Sequence, residues 1–274
     1  MISIELISRG EKSLEDVLKS IKRQDYQDYE IICADSSGKR DVDNLLQSYG
    51  CKIVRLPAHT PFLRARYEAH INSVGVLSLL LDSTRPIKPN ALSFLISEYK
   101  MYDMTIIRED SVGKGFWVKQ AKLLRDISEE QFSRTRNEST AFLLPRLYNY
   151  RILSNAFENI KVNAGQLFDK IGYGEHQIIF DECKRYSLNI GITKEALISH
   201  YEDDSFRKII SKYYRYGKSQ KTLNGMRDIP AKRLSTHIRR DIGIRKRIIT
   251  MPVVLARGMP FVFGYLFGRS ANSQ

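Results

Sequence analysis

The sequence predicts an α/β fold in which a mostly parallel β-sheet is flanked by helices. Over residues 1–100, short apolar segments alternate with amphipathic ones, and this alternation is typical of parallel strands joined by helical crossovers. The predicted strands are apolar along their whole length, as expected for strands that are covered on both faces. A hydrophobic content of 42% and a charged content of 27% are ordinary for a globular protein and do not indicate disorder.

The elements of the first hundred residues follow one another with short connections. Apolar runs predict four strands, at residues 2–7, 29–35, 51–57 and 76–82. Helical spacing of apolar residues predicts the intervening helices, at residues 13–24, 41–50 and 62–74. Ser13 is followed three residues later by Asp16, which resembles a capping box, so we expect Ser13 to cap the first helix.

The regular alternation ends near residue 100. A further strand is predicted at residues 104–110, and Gly113 and Gly115 precede a long predicted helix. The remaining predicted elements are a strand leading into a helix at 140–152, a helix leading into a strand at 174–192, and a basic, tyrosine-rich helix at 205–223.

Positive charge is concentrated near the C-terminal end of the chain. The formal net charge is +13, and residues 201–274 contain 16 Lys and Arg against 5 Asp and Glu. The preceding residues are therefore close to neutral. A nearly neutral body with a basic tail indicates an anionic partner, either a nucleic acid or an anionic membrane surface.

The basic tail is followed by an apolar stretch. Residues 227–247 are rich in Lys and Arg, and residues 248–268 are apolar apart from Arg257. A central Arg257 and Pro260 make a membrane span costly, so we predict interrupted apolar segments that lie peripherally on an anionic membrane. The alternatives are a spanning helix and a helical hairpin packed on the body. Nucleic acid is the less favoured partner, because the apolar stretch would have no role in binding it.

Cysteine usage and the N-terminal residues indicate a cytoplasmic location. Cys33, Cys51 and Cys183 are scattered without a CxxC pair, as expected for reduced thiols. The first residues show no secretory signal. A dinucleotide-binding fold is disfavoured because SRGEKS follows the first predicted strand where GxGxxG would stand.

Two of the predicted strands end in a carboxylate, at Asp35 and Asp82. Open α/β sheets bind ligands at the carboxyl ends of their strands, so we expect both side chains to open into one crevice. The alternative is that both are ordinary turn residues. Because a strand-end carboxylate contributes little to packing, we expect Asp82→Ala to reduce ligand affinity more than stability.

The order of these segments resembles the family 2 glycosyltransferases, which have the GT-A fold. The resemblance lies in SLEDVLKSIKRQDYQDYEIICADSSG, LRARYEAHINSVGVLSLLLDST, GYGEHQIIFDECKRYSLNIGI, ISHYEDDS and YYRYGKS, and covers residues 2 to about 220. It implies a nucleotide-sugar-binding half at 1–100 and an acceptor and catalytic half at 101–225, followed by a basic, membrane-associating region at 226–274. The implied reaction moves a sugar, with inversion, from a nucleotide-diphosphate donor to a glycan acceptor, and the basic tail favours a lipid-linked one.

The resemblance also implies roles for individual residues. Asp35 would bind the nucleobase, and Asp82 would contact the ribose or a divalent cation. Glu175 and His176 stand where the family carries its catalytic base, which takes the proton of the acceptor hydroxyl. His200, in an H-x-E segment, would close on the diphosphate or the cation.

Two departures from the family pattern put cation binding and catalysis in question. Thr84 stands where the family has the last Asp of its D-x-D motif, and His176 stands where it has a second carboxylate. Asp82, Thr84 and His200 remain candidate ligands for Mg²⁺ or Mn²⁺, which prefer carboxylate oxygens. Arg85 is the candidate that would partly replace the cation by pairing with phosphate oxygens. A catalytically inactive subunit that binds nucleotide or glycan is the alternative to an enzyme.

Four further residues are candidates for ligand binding. Arg64 and Arg66, on the helix before the Asp82 strand, would reach the diphosphate, unless they form a solvated helix face. Glu109, which follows the apolar residues of the strand at 104–110, would face the acceptor. Trp117, the only tryptophan, follows Gly115 and would stack on a sugar or lipid, with a packed core position as the alternative.

Overall fold

The computed structural model describes residues 1–135, 144–223 and 244–268 and shows the predicted α/β architecture. Its seven strands are β1 (Ile2–Ser8), β2 (Tyr29–Asp35), β3 (Lys52–Arg55), β4 (Leu77–Asp82), β5 (Met104–Val112), β6 (Leu147–Asn149) and β7 (Ile190–Tyr201). They form one sheet in the order β3-β2-β1-β4-β6-β5-β7. All pairings are parallel except those of β6, which runs antiparallel to both β4 and β5.

Helices cover both faces of the sheet. They are α1 (Leu14–Lys22), α2 (Arg40–Ser48), α3 (Phe62–Ile71), α4 (Ala91–Tyr99), α5 (Phe116–Thr135), α6 (Tyr150–Ala164), α7 (Glu175–Cys183), α8 (Phe206–Leu223) and α9 (Ile244–Phe267). The apolar residues of α1 that have helical spacing are buried against β1, β2 and β4 in the largest hydrophobic cluster. A second cluster packs α3, α6 and α7 around Tyr148 of β6.

Ser13 is the N-cap residue of α1, as the sequence predicts, but the predicted capping by its side chain is wrong. The Ser13 side chain makes no capping hydrogen bond to its own helix. Its hydroxyl instead donates to the carbonyl oxygen of Ser83, at 2.7 Å. Ser13 therefore ties the start of α1 to the turn that follows β4, which is the turn that carries Arg85.

The apolar C-terminal stretch forms one continuous helix. The sequence predicts segments interrupted near Arg257 and Pro260, but α9 continues through Pro252 and Pro260. Packing along α8 offsets the backbone hydrogen bonds that two prolines remove. Most of the basic stretch at 227–247 lies outside the described residues.

Two glycines let α8 and α9 pack closely. A Cβ atom on Gly217 of α8 would overlap the Phe261 carbonyl oxygen, and one on Gly264 of α9 would overlap the Tyr214 carbonyl oxygen. The Arg257 guanidinium lies 5.3 Å from the centre of the Tyr213 ring, so this charge is on the side of α9 that faces α8. The opposite side of α9 is left without charged residues at its centre.

Candidate active site

Two carboxylates lie at the same edge of the sheet. β2 ends at Asp35 and β4 ends at Asp82, and both strands pair with β1. In the register of the sheet, Ser8 of β1 is opposite Asp35 and Ile7 is opposite Asp82. The parallel strands therefore bring both residues to the edge where ligands bind in open α/β sheets. Because Ser8 and Ile7 are consecutive, the two side chains leave this edge from opposite faces of the sheet, and their opening into one crevice stays a prediction.

Three arginines from separate elements surround Asp82. Arg66 of α3 donates to Oδ1, and Arg85 in the turn after β4 donates to Oδ2. Arg146, which immediately precedes β6, also reaches Oδ2, at 3.3 Å. Burial raises the pKa of Asp82, but the three guanidinium groups outweigh burial and hold this pKa well below its usual value. Asp82 is therefore ionised at neutral pH.

Glu109 of β5 holds the arginines from the other side. Its Oε1 accepts from Arg85 at 3.1 Å and from Arg146 at 3.0 Å, and its Oε2 accepts from Arg125 of α5 at 3.0 Å. Burial raises the pKa of Glu109, and the three arginines lower it far below its usual value. The structure thus places Glu109 behind the arginines, with both oxygens engaged, where we assign it a positioning role.

The beginning of α7 adds His176 to this cluster. The His176 Nε2 atom lies 3.0 Å from a nitrogen of Arg66 and 2.9 Å from a nitrogen of Arg146. Both arginines can only donate, so Nε2 accepts and the proton is on Nδ1. Burial, together with Arg146 and Arg66, lowers the pKa of His176 well below its usual value. The imidazole is therefore neutral at physiological pH.

Glu175 stands beside the cluster in a different electrostatic state. Its Oε1 lies 3.7 Å from His176 Nε2, and its side chain is largely buried. Burial raises the pKa of Glu175, with Asp82 adding to the rise and Arg66 opposing it. A carboxyl group with a raised pKa near strongly basic neighbours is typical of a general acid or base.

A second group of charged residues adjoins Glu109. Arg125 donates to Glu202 Oε1 at 2.7 Å and lies 2.7 Å from His200 Nδ1. Burial, together with Arg85, lowers the pKa of His200 to about 4 although Glu202 opposes the change. His200 and Glu202 are thus joined to the Asp82 cluster through Arg125 and Glu109.

Asp35 has much simpler surroundings. Its Oδ2 accepts from the Ser37 backbone N–H at 3.2 Å and from the Ser37 hydroxyl at 2.6 Å. Its Oδ1 is buried and has no hydrogen-bond partner among the described residues. A buried acceptor without a partner is costly, and at a strand end it indicates a site for an N–H donor of a ligand.

Two of the predicted residues lie outside this arrangement. Arg64 pairs with Glu68 of its own helix and with Asp169, not with the Asp82 cluster. Trp117 stacks on Phe206, at the start of α8, with ring centres 5.3 Å apart. Neither contact involves the two strand-end carboxylates.

The residues at the predicted cation site do not fit a divalent cation. Both Asp82 oxygens are engaged by arginines, and the Thr84 carbonyl accepts from the Tyr201 backbone N–H. His200 Nδ1 is engaged by Arg125. Within residues 1–135, 144–223 and 244–268, no group of three His, Cys, Asp or Glu side chains is arranged to hold a metal ion.

Sequence reasoning missed Arg125 and Arg146. Arg146 precedes the antiparallel strand β6, and nothing in the local pattern shows that β6 inserts between β4 and β5. Arg125 lies within a segment whose pattern is that of an ordinary amphipathic helix, so nothing in the sequence distinguishes it from a solvent-exposed arginine. The one available signal was a single arginine within the otherwise apolar run FLLPRLYN.

The fold and the charged cluster define an α/β protein with a candidate ligand site at the carboxyl edge of its sheet. The chain belongs to glycosyl transferase family 2, whose model matches residues 7–157, more than half of the chain. Its fold is GT-A-like. No curated protein sequence matches the chain significantly.

Solved structures of TarS from S. aureus share this fold. The chain aligns with TarS 1–349 in complex with UDP-GlcNAc at a TM-score of 0.53 and 13% identity, covering 96% of this chain and 81% of that one. The UDP complex of the same fragment gives a TM-score of 0.53 and 15% identity, covering 97% and 81%. Against the longer TarS structure the TM-score is 0.52 at 14% identity, and this chain spans 54% of that chain.

Proposed function

We propose that this protein transfers a sugar, with inversion, from a nucleotide-diphosphate donor to an acceptor hydroxyl. The observation that carries the proposal is the buried Glu175 carboxyl, beside three guanidinium groups at the strand ends of a family 2 fold. An inverting transfer needs a base on the acceptor side and positive charge on the leaving-group side. Glu175 supplies the first, and the arginine cluster around Asp82 supplies the second.

Asp35 is the proposed contact for the nucleobase. Uracil and guanine each present a ring N–H, and Asp35 Oδ1 is a buried acceptor without a partner among the described residues. The TarS structures with the same fold contain UDP-GlcNAc and UDP, which supports a uridine nucleotide as the first donor to test. Binding would satisfy an oxygen that is otherwise desolvated without compensation.

Glu175 is the proposed catalytic base. His176 is the neighbouring candidate, but its Nε2 lone pair is directed at two guanidinium groups. In the proposed step the acceptor hydroxyl gives its proton to Glu175 and its oxygen forms a bond to the anomeric carbon. The bond from that carbon to the phosphate oxygen breaks on the opposite face, and its electron pair leaves with the nucleoside diphosphate.

A panel of nucleotide sugars tests this function. We expect wild-type protein to release UDP from at least one UDP-sugar when an acceptor is present. Glu175→Gln should lower kcat by about 10²- to 10⁴-fold, the usual contribution of a general base, while UDP affinity stays unchanged. Glu195→Gln, at an exposed position on β7, is the control. UDP binding without turnover on any acceptor would instead identify a binding subunit, and binding of neither UDP nor other nucleotides would remove the proposal.

The acceptor we propose is linked to lipid, with the protein attached peripherally to an anionic membrane. α9 has an exposed apolar row whose residues recur every three or four positions along about 36 Å of helix. The row consists of Ile244, Ile248, Met251, Leu255, Met259, Val262 and Leu266. Among the described residues, Lys246–Phe267 is the one segment long and apolar enough to cross a membrane by length and composition.

Packing against α8 favours a helix that lies on the membrane over one that crosses it. α8 carries exposed Arg207, Lys208 and Arg215 and is held tightly to α9 by Gly217 and Gly264. A spanning α9 would draw these charges towards the hydrocarbon, at a large cost. An interfacial α9 buries its apolar row and leaves the basic residues near anionic headgroups.

Sedimentation with vesicles tests the attachment. Full-length protein should pellet with vesicles of phosphatidylglycerol and phosphatidylcholine, less so at high salt because screening weakens the attraction. The double substitution Leu255→Asp with Met259→Asp should abolish pelleting, whereas Val162→Asp, at an exposed apolar position on α6, should not. If the wild type stays in solution as a dimer that the double variant converts to a monomer, α9 is covered by a second copy and the membrane proposal fails.

A further inference from the structure

The arginine cluster around Asp82 occupies the place at which the family resemblance implies a divalent cation. Asp82 already accepts from Arg66, Arg85 and Arg146, and the second carboxylate of the motif is replaced by Thr84. A cation that approached Asp82 would have to displace guanidinium groups from a largely buried carboxylate. Like charges close together in a weakly screened site repel strongly.

The charges of the cluster are nearly balanced without a cation. The four arginines Arg66, Arg85, Arg125 and Arg146 face the three carboxylates Asp82, Glu109 and Glu202. His176 and His200 are neutral at physiological pH, because the pKa of each lies below its usual value. Among these paired groups the arginines exceed the carboxylates by one, and an ionised Glu175 beside the cluster would offset this excess. The cluster therefore needs no divalent cation for charge balance.

Glu109 fixes the geometry of two of these arginines. Its Oε1 holds Arg85 at 3.1 Å and Arg146 at 3.0 Å, so the two guanidinium groups converge between Glu109 and Asp82. The Arg85 backbone N–H donates to the Asp82 carbonyl at 3.0 Å, which closes the turn that carries the side chain. Arg85 is also the most exposed of the three, at 15% of its side chain against 8% for Arg146 and 0% for Arg66.

We infer that Arg85 and Arg146 bind the donor diphosphate in place of a divalent cation and neutralise the leaving nucleoside diphosphate. The inference rests on the proposed function. Guanidinium groups suit this task because their paired N–H donors match phosphate oxygens. When the bond between the anomeric carbon and the phosphate oxygen breaks, the electron pair stays on that oxygen, and the arginine N–H groups donate to it.

Arg66 and Glu109 support this site without contacting the donor. Arg66 is fully buried and donates to the Leu81 carbonyl at 2.6 Å as well as to Asp82. Glu109 has both oxygens engaged by arginines. We therefore treat Arg66 and Glu109 as positioning residues.

Titration calorimetry of the full-length protein with UDP tests the inference directly. After treatment with excess EDTA, UDP affinity should stay within about twofold of that measured with added Mn²⁺. Arg85→Ala should lower the affinity for UDP about 10- to 100-fold, as expected for the loss of charge-assisted hydrogen bonds. The affinity for uridine should stay unchanged, because uridine has no diphosphate. Arg85→Lys should recover only part of the loss, since Lys lacks the paired donors. Lys88→Ala is the matched control, because Lys88 is a half-buried cation in the same connection that pairs with Asp110 and not with the cluster.

The possible failures are distinguishable. If UDP binds only with Mn²⁺, the inference is wrong while the proposed function stands. If Arg85→Ala lowers the affinity for both UDP and uridine, the substitution has disturbed the fold. The comparison of wild-type UDP affinity with EDTA and with Mn²⁺ then decides whether the inference holds. If no nucleotide binds with or without Mn²⁺, the proposed function fails and the inference with it.

Discussion

Asp35 and Asp82 end the two strands that flank β1, one register position apart, and their surroundings are opposite. Asp82 has both oxygens engaged by arginines from three separate segments. Asp35 has one oxygen on Ser37 and one without a partner among the described residues. A strand-end carboxylate thus marks the edge where a ligand binds, but its partners decide whether it contacts the ligand or organises other groups that do so.

The largest expected difference between the two is in stability. Asp82→Ala removes the carboxylate that pairs with Arg66 and leaves Arg85 and Arg146 with Glu109 alone. Removing one partner of a buried ionic network costs about 3–5 kcal/mol. Asp43→Ala, which breaks the surface pair with Arg55, should cost at most about 1 kcal/mol. Urea unfolding of both variants measures the difference. Equal stabilities would show that the arginines do not depend on Asp82.

This expectation differs from the one that the sequence alone supports. A strand-end carboxylate contributes little to packing, so the sequence predicts that Asp82→Ala mainly affects ligand affinity. The structure predicts a large effect on stability instead, because the Asp82 carboxylate compensates the charges of three guanidinium groups that are buried close together.

The next largest effect is in nucleotide affinity at Asp35. Asp35→Ala should weaken the binding of uridine and of UDP to the same extent. The expected loss of binding free energy is about 1.5–3 kcal/mol, as for a hydrogen bond to a charged group. Its stability should fall by only about 1 kcal/mol, because its partners belong to the adjacent turn. Calorimetry with both ligands measures this, with Asp41→Ala on α2 as an exposed control. A variant that loses UDP but keeps uridine would place Asp35 at the diphosphate and contradict the base contact.

The smallest expected effect is a shift in pH dependence. Burial raises the pKa of Glu175, and only the ionised carboxylate can act as a base, so kcat/KM should fall as pH drops through this raised pKa. His176 should not contribute, since its pKa lies well below its usual value and the ring stays neutral. We therefore expect the acid limb of the pH–rate profile to keep its position in His176→Gln. If the acid limb disappeared in His176→Gln, the titrating group would be the His176 imidazole and not Glu175.

The sequence was sufficient for the features encoded by local pattern. Apolar runs that end in Asp35 and Asp82 predict both the parallel strands and the edge of the sheet at which these two residues lie. The Asp82 cluster depends instead on non-local pairing, because Arg146 reaches it only when β6 inserts antiparallel between β4 and β5. Likewise, Arg257 lies against Tyr213 because α9 packs on α8. Hydropathy contains no information on this packing, so it predicts that Arg257 interrupts the apolar segment.

Helix α8 stands between the exposed row of α9 and the start of α7, where Glu175 lies. Gly217 contacts α9, whereas Ser219, about 200° further round the helix, donates to the Tyr173 carbonyl at 2.9 Å. Tyr173 lies two residues before Glu175, so the carboxyl that we propose as the base is separated from whatever covers α9 by the thickness of two helices, about 20 Å. On a bilayer this spacing would act as a molecular ruler that selects acceptors by the height of their hydroxyl above the headgroups.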